Sequence, residues 1–349
     1  MFNKRFTLLT VCLMVFVLAA ASVEASGGRL RDMFRKRTVV GKPSAIPQVP
    51  GIHKDLQFPH GDMVRTYNIY LPIRFTAKAR NQGYPVLFLL HGGGGCADEI
   101  FSKLEMNPVA DQFDFIVVYP DGTGNNDKRV WNGGLDLGNN LNPNVNKVDD
   151  VGFIRELAGY VAEQMPVNKT RFYVTGLSNG AVMTHRLAAE LPDIFAAAAP
   201  VAGTVKSSYT ENSRKLSTPA SKGPIPVIMF HGTADAFLPY HGGKLDPATT
   251  RPGNPQFIGS LSDAVNFWLT ANRAKSFIPT IETDQTRGYF MAKYETGNAP
   301  VIAYTIFNGE HAWCKSDKIT KAQISELVWK NLSVFGKKAA RAVSAEGGM

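Results

Sequence analysis

Cysteine is scarce in this chain, at 3 of 349 residues. Cys12 lies inside an apolar segment near the start of the sequence, which leaves Cys96 and Cys314 for the predicted domain. Two cysteines exclude a disulfide-dense scaffold, because such scaffolds rely on several bridges in place of a large core. The pair is compatible with one disulfide bond or with two thiols, and both alternatives stay open.

Signals for a metal or a nucleotide are also missing. No pair of histidines has the His-x-x-x-His spacing and the two cysteines are far apart, so we predict no metal site. The glycine run at 92–95 is not followed by Gly-Lys-Ser/Thr, which argues against a phosphate-binding loop. The sequence has no internal repeat and, beyond its first residues, no apolar run long enough to span a membrane.

The first residues have the pattern of a targeting segment. Lys4 and Arg5 precede an uncharged apolar run at 6–21, and a small-residue cleavage pattern ends at Ala25. We therefore predict a signal peptide at 1–25 and a secreted protein, extracellular or periplasmic, with no stable membrane insertion once the signal is removed. The alternative is a retained membrane anchor, for which the apolar run is short.

A basic and then proline-rich arm is predicted at 26–50. Five basic residues and one aspartate give the stretch 29–37 a charge of +4, out of a net charge of +9 for the chain. The arm is interpreted as a solvated segment, the alternative being a tether to an anionic surface or nucleic acid. We predict no nucleic-acid partner. The folded domain is then expected at 51–335 and a C-terminal tail at 336–349.

Apolar runs and helical patterns alternate through the predicted domain. Strands are predicted at 65–71, 85–90, 115–120, 172–175, 195–201 and 226–230, and a late pair, 288–295 and 300–307, reads as a hairpin or two sheet strands. Helices are predicted at 151–165, 182–191, 261–272 and 318–332, with a shorter one around Ala110. This alternation predicts an α/β domain with a mostly parallel sheet and helices on both faces. Three polar or Gly-rich stretches, 123–147, 204–223 and 241–258, are expected to be loops at the rim of the sheet.

A Gly-x-Ser-x-Gly motif places Ser178 between Gly176 and Gly180. The motif alone would occur by chance roughly once in seven such chains. Here it follows a β-branched and aromatic run and precedes a helix, which is the order of a nucleophile elbow, where a serine sits on a strained turn between small residues. Ser178 is therefore predicted to be a nucleophile.

The order nucleophile, acid, histidine restricts the base to residues after Ser178. Three histidines qualify outside the helix that follows the serine: His231, His241 and His311. His311 is the predicted base, because it lies in a loop between a strand and the last helix.

The acid is predicted to be Asp235, which follows the buried strand 226–230 by a short turn. Such carboxyl ends of parallel strands are where these sheets build their sites. Asp246, in a loop, and Asp263, at a helix start where a cap is the ordinary role, are the alternatives.

The oxyanion of an ester intermediate needs backbone donors. We predict the amide of Asn179 and one amide of the glycine loop, from Gly93 or Gly94. The aromatic residues in the neighbouring predicted loops are Trp131, Tyr240 and Trp313. They are predicted to bind the substrate, the alternative being that they only pack their loops.

Several ordered motifs together resemble the secreted polyhydroxybutyrate depolymerase and feruloyl esterase group of the α/β-hydrolases. The resemblance runs from about residue 51 to 335. It is carried by Leu90-His91-Gly92, Tyr119-Pro120-Asp121-Gly122 with Trp131, Gly176-Leu177-Ser178-Asn179-Gly180-Ala181, His231-Gly232-Thr233-Ala234-Asp235 with Pro239-Tyr240, and Glu310-His311-Ala312-Trp313.

The resemblance implies the α/β-hydrolase fold and a Ser178, Asp235, His311 triad. It also implies hydrolysis of carboxylic esters without a cofactor, on a small or polymeric ester substrate. Hydroxyalkanoate esters of the polyhydroxybutyrate type or their oligomers are the leading expectation, with feruloyl and acetylxylan esters as alternatives. A serine peptidase and a non-catalytic exported binding protein on the same fold are the competing functions.

Overall fold

The apolar runs of the sequence form the strands of one large sheet in the computed structural model. The model describes residues 41–77, 82–125, 128–134, 142, 144–210, 213–216, 221–246, 256–297 and 299–337. The predicted signal peptide, residues 26–40 of the predicted arm and residues 338–349 of the predicted tail lie outside this part of the chain.

The described strands are β1 (Gly51–His60), β2 (Met63–Leu71), β3 (Tyr84–Leu90), β4 (Ile116–Pro120), β5 (Thr123–Asn125), β6 (Lys128–Val130), β7 (Val167–Leu177), β8 (Ala197–Val201), β9 (Lys206–Thr210), β10 (Ser213–Leu216), β11 (Val227–Gly232), β12 (Gly243–Lys244), β13 (Phe257–Ile258), β14 (Thr280–Asp284), β15 (Tyr289–Tyr294) and β16 (Val301–Ile306). The α-helices are α1 (Ala97–Lys103), α2 (Met106–Phe113), α3 (Asp150–Gln164), α4 (Asn179–Glu190), α5 (Leu261–Ala271) and α6 (Lys321–Leu332). A 3-10 turn covers Val145–Lys147.

The large sheet has ten strands in the order β1-β2-β4-β3-β7-β8-β11-β16-β15-β14. Its six middle strands, from β4 to β16, pair in parallel. Antiparallel pairs flank them on both sides, β2 with β4 at one side and β16-β15-β14 at the other. The predicted hairpin at 288–307 is thus observed as β15 and β16.

Helices cover both faces of the parallel strands, as the unbroken apolar runs predicted. Side chains of β3 alternate between two cores, with Phe88 in one and Leu87 in the other. Helices α3, α4 and α5 supply Phe153, Leu187 and Trp268 to the first core. Helices α1, α2 and α6 pack into the second core. The mostly parallel sheet with helices on both faces, predicted from the sequence, is therefore confirmed.

Helix α1 and strands β1 and β14 were missed, and for α1 and β1 the reason is local. Helix α1 follows the glycine run directly, and its N-cap residue Cys96 makes no side-chain capping bond. A helix without a capping residue gives no start signal in the sequence. Strand β1 has Lys54 and Asp55 exposed in its middle, and Asp55 has a positive φ of 54°, so its alternation is broken.

The three predicted loops contain short strands of their own. The stretches 204–223 and 241–258 contribute to a four-stranded antiparallel sheet in the order β10-β9-β13-β12. The stretch 123–147 contains the β5–β6 hairpin. These strands are two to five residues long, too short for an alternating pattern to stand out.

Ordered packing is observed on both sides of residue 51, the predicted start of the domain. The described residues at 42–60 and from 64 onward belong to one compact unit, and Gly61 and Asp62 form a turn outside it. Within the compact unit, Ile46 is buried, and Ser44 exchanges hydrogen bonds with Gln57 and Tyr160. Ordered packing thus begins before residue 51, where the sequence placed the start of the domain.

Lys337, two residues past the predicted end of the domain, also makes contacts with it. The Lys337 amide donates to the Thr170 carbonyl oxygen, and its ammonium donates to the Pro192 carbonyl oxygen. Across the described ranges, no helix has the length and apolar character that crossing a bilayer requires.

Candidate functional site

Ser178 lies on the turn between β7 and α4 with a φ of 57° and a ψ of −117°. Backbone in this region costs a residue with a side chain about 1–3 kcal/mol, so the surrounding structure must hold it. The Ser178 amide donates to the Val201 carbonyl oxygen at 3.1 Å, and its carbonyl oxygen accepts from Ala181 and Val182 at 2.9 and 3.0 Å. The elbow predicted from the sequence is therefore present as a strained strand-to-helix turn.

The glycines around Ser178 are required by close backbone packing. A Cβ added to Gly176 would lie 2.6 Å from the Gly180 carbonyl oxygen. A Cβ on Gly180 would lie 2.5 Å from the carbonyl oxygens of both Leu90 and His91. The elbow thus packs directly against the end of β3, where the glycine loop begins.

Replacing Gly180 by alanine is expected to destabilise the fold by about 3 kcal/mol, because backbone atoms must move to admit the methyl group. Gly159 is the matched control, since it lies in α3 and nothing is within 4 Å of an added Cβ. Gly159→Ala should be neutral or stabilise by up to about 1 kcal/mol. Urea unfolding of both variants measures the difference, and equal midpoints would contradict the packing described for Gly180.

Asp235 and His311 are brought together by two neighbouring parallel strands. Asp235 follows β11 and His311 follows β16. The His311 Nδ1 atom is 2.8 Å from Asp235 Oδ2 and 3.0 Å from Oδ1. The Asp235 side chain is fully buried, whereas that of His311 is 21% exposed. The carboxylate can therefore fix the imidazole by its Nδ1–H and leave Nε2 free to accept a proton.

Backbone contacts hold the Asp235 and His311 loops together. Asp235 Oδ1 accepts from the amides of Phe237 and Leu238 at 3.0 and 2.9 Å. A Cβ on Gly232 would overlap the backbone of Gly309, so the two loops touch at their glycines. The separation of Asp235 and His311 is consequently set by the backbone of two strand ends.

Ser178 and His311 line one cavity of about 340 Å³. The glycine loop at 92–95 forms another wall of it. A Cβ on Gly92 would lie 3.5 Å from Ser178 Cβ, and one on Gly93 would lie 3.4 Å from Asn179 Cβ. The volume is at the lower end of the range of about 300–1,000 Å³ that is typical of small-molecule sites. Ser178 and His311 thus line the same cavity, and Asp235 contacts His311 through Nδ1 without lining the cavity itself.

The backbone donors near Ser178 differ in their availability. Asn179 is the first residue of α4, where an N–H has no acceptor within the helix. The Gly94 amide donates to the Arg129 carbonyl oxygen at 2.7 Å and is engaged. For the Gly93 amide, no hydrogen bond is found within the described part of the chain. Gly94 is therefore withdrawn from the predicted donors, and Asn179 and Gly93 remain.

Trp131 does not line the cavity, contrary to the prediction. The side chain is fully buried, and its indole Nε1–H donates to the His91 carbonyl oxygen at 3.1 Å. The Asn179 side chain accepts from the Trp131 amide at 2.7 Å and donates to its carbonyl oxygen at 3.2 Å. Trp131 thus supports the elbow and the start of the glycine loop from behind.

Trp313 and Tyr240, which were also predicted to bind the substrate, lie outside the lining of this cavity as well. Trp313 is fully buried in the second core and its Nε1–H donates to Ser325 Oγ at 3.0 Å. Tyr240 is half-buried against the first core, with its hydroxyl 2.9 Å from Thr305 Oγ1. Neither residue lines the cavity. Packing against the sheet accounts for both rings.

The sequence analysis missed most of the other side chains that line the cavity. The larger apolar ones are Ile100 and Leu104, at α1 and its C-cap, and Leu177. Leu177 precedes Ser178, so adjacency in sequence was a usable signal for it. Phe237, two residues after Asp235, is 60% exposed and its ring centroid is 5.1 Å from that of His311. Ile100 and Leu104 carried no signal, because α1 itself was not predicted.

The profile of the esterase family, with the description “Putative esterase”, matches residues 62–287. The chain belongs to this esterase family. It is 33% identical over 252 residues to “Putative esterase NocK” of Nocardia uniformis subsp. tsuyamanensis, across 68% of this chain and 67% of that protein. It is 30% identical over 240 residues to “Feruloyl esterase B” of Talaromyces funiculosus, across 68% of this chain and 62% of that protein. The match to this second relative therefore spans less than two thirds of its length.

A solved structure, “Acetyl xylan esterase from Aspergillus awamori”, shares the fold of this family member. The TM-score is 0.51 at 16% identity, covering 77% of this chain and 94% of that one. At this identity the likeness bears on the fold alone. The α/β-hydrolase fold expected from the sequence is confirmed.

Three other histidines of this esterase are buried around the site. His91 donates from Nδ1 to the Gly92 carbonyl oxygen at 2.7 Å, and its Nε2 accepts from the Gly122 amide at 2.9 Å. His231 Nε2 donates to the Leu238 carbonyl oxygen at 2.8 Å, and His185 Nδ1 accepts from Trp268 at 2.9 Å. Burial lowers the pKa of His91 and His231, and it lowers the pKa of His185 to about 3.

These three histidines predict a loss of stability in mild acid. Their pKa is lower in the folded chain than the ordinary value of 6.5, so the unfolded chain binds more protons below that pH. The free energy of unfolding should be insensitive to these groups above about pH 7 and should fall as the pH drops below about 6.5. Urea unfolding between pH 5 and 8 measures this, and His185→Gln should make the dependence shallower. A stability that rises toward pH 5 would contradict the prediction.

The two cysteines of the domain are both free thiols. Cys96 is partly exposed beside the glycine loop, and Cys314 is buried, with its sulfur 3.6 Å from the Phe230 carbonyl oxygen. Burial raises the pKa of the Cys314 thiol. Of the two alternatives left open by the sequence, the structure shows thiols. Within the residues described, no group of three or more His, Cys, Asp or Glu side chains could hold a metal ion.

Proposed function

We propose that this chain is a serine carboxylic-ester hydrolase in which Ser178 is the nucleophile, His311 the general base and Asp235 the residue that orients the base. One observation carries the proposal. A buried carboxylate holds His311 by Nδ1 at 2.8 Å, and His311 shares a small cavity with a serine on a strained turn. Membership of the esterase family supports the same chemistry.

In the first half of the reaction, Ser178 Oγ attacks the ester carbonyl carbon while His311 Nε2 takes the hydroxyl proton. The carbonyl oxygen becomes an oxyanion and accepts hydrogen bonds from the Asn179 and Gly93 amides. When the tetrahedral intermediate collapses, the bond to the alcohol oxygen breaks and that oxygen receives the proton from His311. Water then repeats these steps on the acyl-enzyme, releasing the acid and restoring Ser178.

The substrates proposed are hydroxyalkanoate esters of the polyhydroxybutyrate type, with their soluble oligomers favoured by the size of the cavity. Its volume of about 340 Å³ admits a few-carbon acyl group or one aromatic acid. Feruloyl and acetylxylan esters are the alternatives, since relatives or structural neighbours carry those names. The N-terminal pattern of the sequence supports export of the enzyme.

A fluorophosphonate probe tests the nucleophile. It should label the wild-type chain on the peptide that contains Ser178 and should not label Ser178→Ala. A turnover panel of hydroxybutyrate oligomers, methyl ferulate, acetylated xylan and chromogenic peptides then ranks the substrates. Labelling of another serine would reject the assignment, and no labelling at all would favour a non-catalytic binding protein. Peptide turnover above ester turnover would favour a peptidase.

A further inference from the structure

Three charged side chains line the cavity and have no part in the proposed chemistry. Glu99 and Lys103 lie on α1, and Lys321 is the first residue of α6. They enter the same cavity as Ser178 and His311 from two helices that are far apart in sequence. The sequence analysis gave none of them a role.

Two of these charges neutralise one another. Lys103 Nζ is 2.6 Å from Glu99 Oε1, an i,i+4 pair on one face of α1. The other carboxylate oxygen of Glu99 faces the glycine loop, since a Cβ on Gly95 would lie 2.7 Å from it. The Glu99 carboxylate is thus held between Lys103 and the loop.

Lys321 is left without a counter-charge. No carboxylate of the described residues lies within 4.0 Å of its ammonium group, although other lysines of the domain form such pairs. The cavity therefore carries one uncompensated positive charge, beside apolar side chains that include Ile100, Leu104 and Leu177. Electrostatic complementarity at such a site favours a ligand with an apolar body and a single negative charge.

We propose that Lys321 is a specificity residue that recognises a carboxylate on the ester substrate. This inference rests on the proposed hydrolase function and narrows it. A hydroxyalkanoate oligomer has a free carboxylate at one end, beyond the alcohol side of its last ester bond, and a half-ester of a dicarboxylic acid has one on its acyl side. Neutral feruloyl and acetyl esters have none. Oligomers with a free end are accordingly favoured over neutral esters.

Two matched substrate pairs test the proposal. The 3-hydroxybutyrate dimer and its terminal primary amide differ only in the charge on the alcohol side. The p-nitrophenyl half-ester of glutaric acid and p-nitrophenyl pentanoate place the difference on the acyl side. We expect wild-type kcat/KM to favour the anionic member of at least one pair by about two- to fivefold, which is the scale of one partly exposed charge pair. The preference should shrink as NaCl is raised, because salt screens the attraction.

Variants assign the preference to Lys321. Lys321→Met should remove most of it, mainly through KM for the anionic substrate, and Lys321→Arg should keep most of it. Lys330→Met is the matched control, because Lys330 lies on the same helix, pairs with Glu326 at 2.6 Å and does not line this cavity. It lowers the net charge equally and should leave the preference intact.

The outcomes distinguish a failure of the role proposed for Lys321 from a failure of the proposed hydrolase function. If both members of each pair are hydrolysed equally, or if Lys330→Met removes the preference as fully as Lys321→Met, the role of Lys321 is rejected and the hydrolase assignment stands. If the fluorophosphonate labels Ser178 but none of the four esters is turned over, the proposed substrate class is rejected. If neither labelling nor turnover occurs, the hydrolase function is rejected, and the role proposed for Lys321 is rejected with it.

Discussion

Ser178→Ala is expected to lower kcat for p-nitrophenyl butyrate by about 10⁶-fold, with little change in KM. The methyl group removes the only atom that can form the acyl bond, whereas the cavity and the backbone donors are left in place. The substitution does not relieve the backbone strain of the turn, because alanine is as constrained as serine at a φ of 57°. The fold and the melting temperature should therefore change little.

The double variant Ser178→Ala, His311→Ala gives the sharper test. Residues that act as one unit are not additive, so the second substitution should cost almost nothing once the first is made. His311→Ala alone should cost nearly as much as Ser178→Ala. Independent losses that multiply in the double variant would mean that the two residues do not share a proton-transfer step.

The elbow was predictable because its physical requirements are local. Gly176 and Gly180 are fixed by contacts within a few residues of Ser178 or with the neighbouring strand β3. The pairing of His311 with Asp235 was also within reach, since both follow strands and parallel strands end at one edge. Chain order and strand ends were enough to narrow the candidates to these residues.

The walls of the cavity were not predictable in the same way. Trp131 and Trp313 lie in loops beside the site, yet each finds a hydrogen-bond partner for its indole in the interior and is buried. An aromatic ring in a loop can face either way, and the sequence does not encode which interior partner will be in reach. The position of Lys321 at the cavity was not predictable either. It depends on how α6 packs against α2, and these two helices are far apart in sequence.

The contacts of the two Asp235 carboxylate oxygens predict the effect of replacing one of these oxygens by an NH₂ group. Its Oδ1 accepts two backbone N–H groups, from Phe237 and Leu238, and these require an oxygen. Its Oδ2 makes the shorter contact with His311 Nδ1, at 2.8 Å, and lies 3.5 Å from His231 Nε2. In Asp235→Asn the amide oxygen should keep the Oδ1 position, and the NH₂ group should take the place of Oδ2.

Asp235→Asn is therefore expected to lower kcat by about 10⁴-fold with the fold intact. An NH₂ group facing His311 makes Nδ1 an acceptor, so the proton moves to Nε2, which can then no longer take the proton of Ser178. Asp263→Asn is the control, because Asp263 caps α5 by accepting from the Ser260 amide at 2.7 Å. That change should lower stability by less than about 1 kcal/mol and leave kcat unaltered. Wild-type turnover in Asp235→Asn, together with loss of turnover in Asp263→Asn, would assign the role of the acid to Asp263. Among the residues described, only Asp235 has a carboxylate within hydrogen-bonding distance of His311, so we expect the loss in Asp235→Asn.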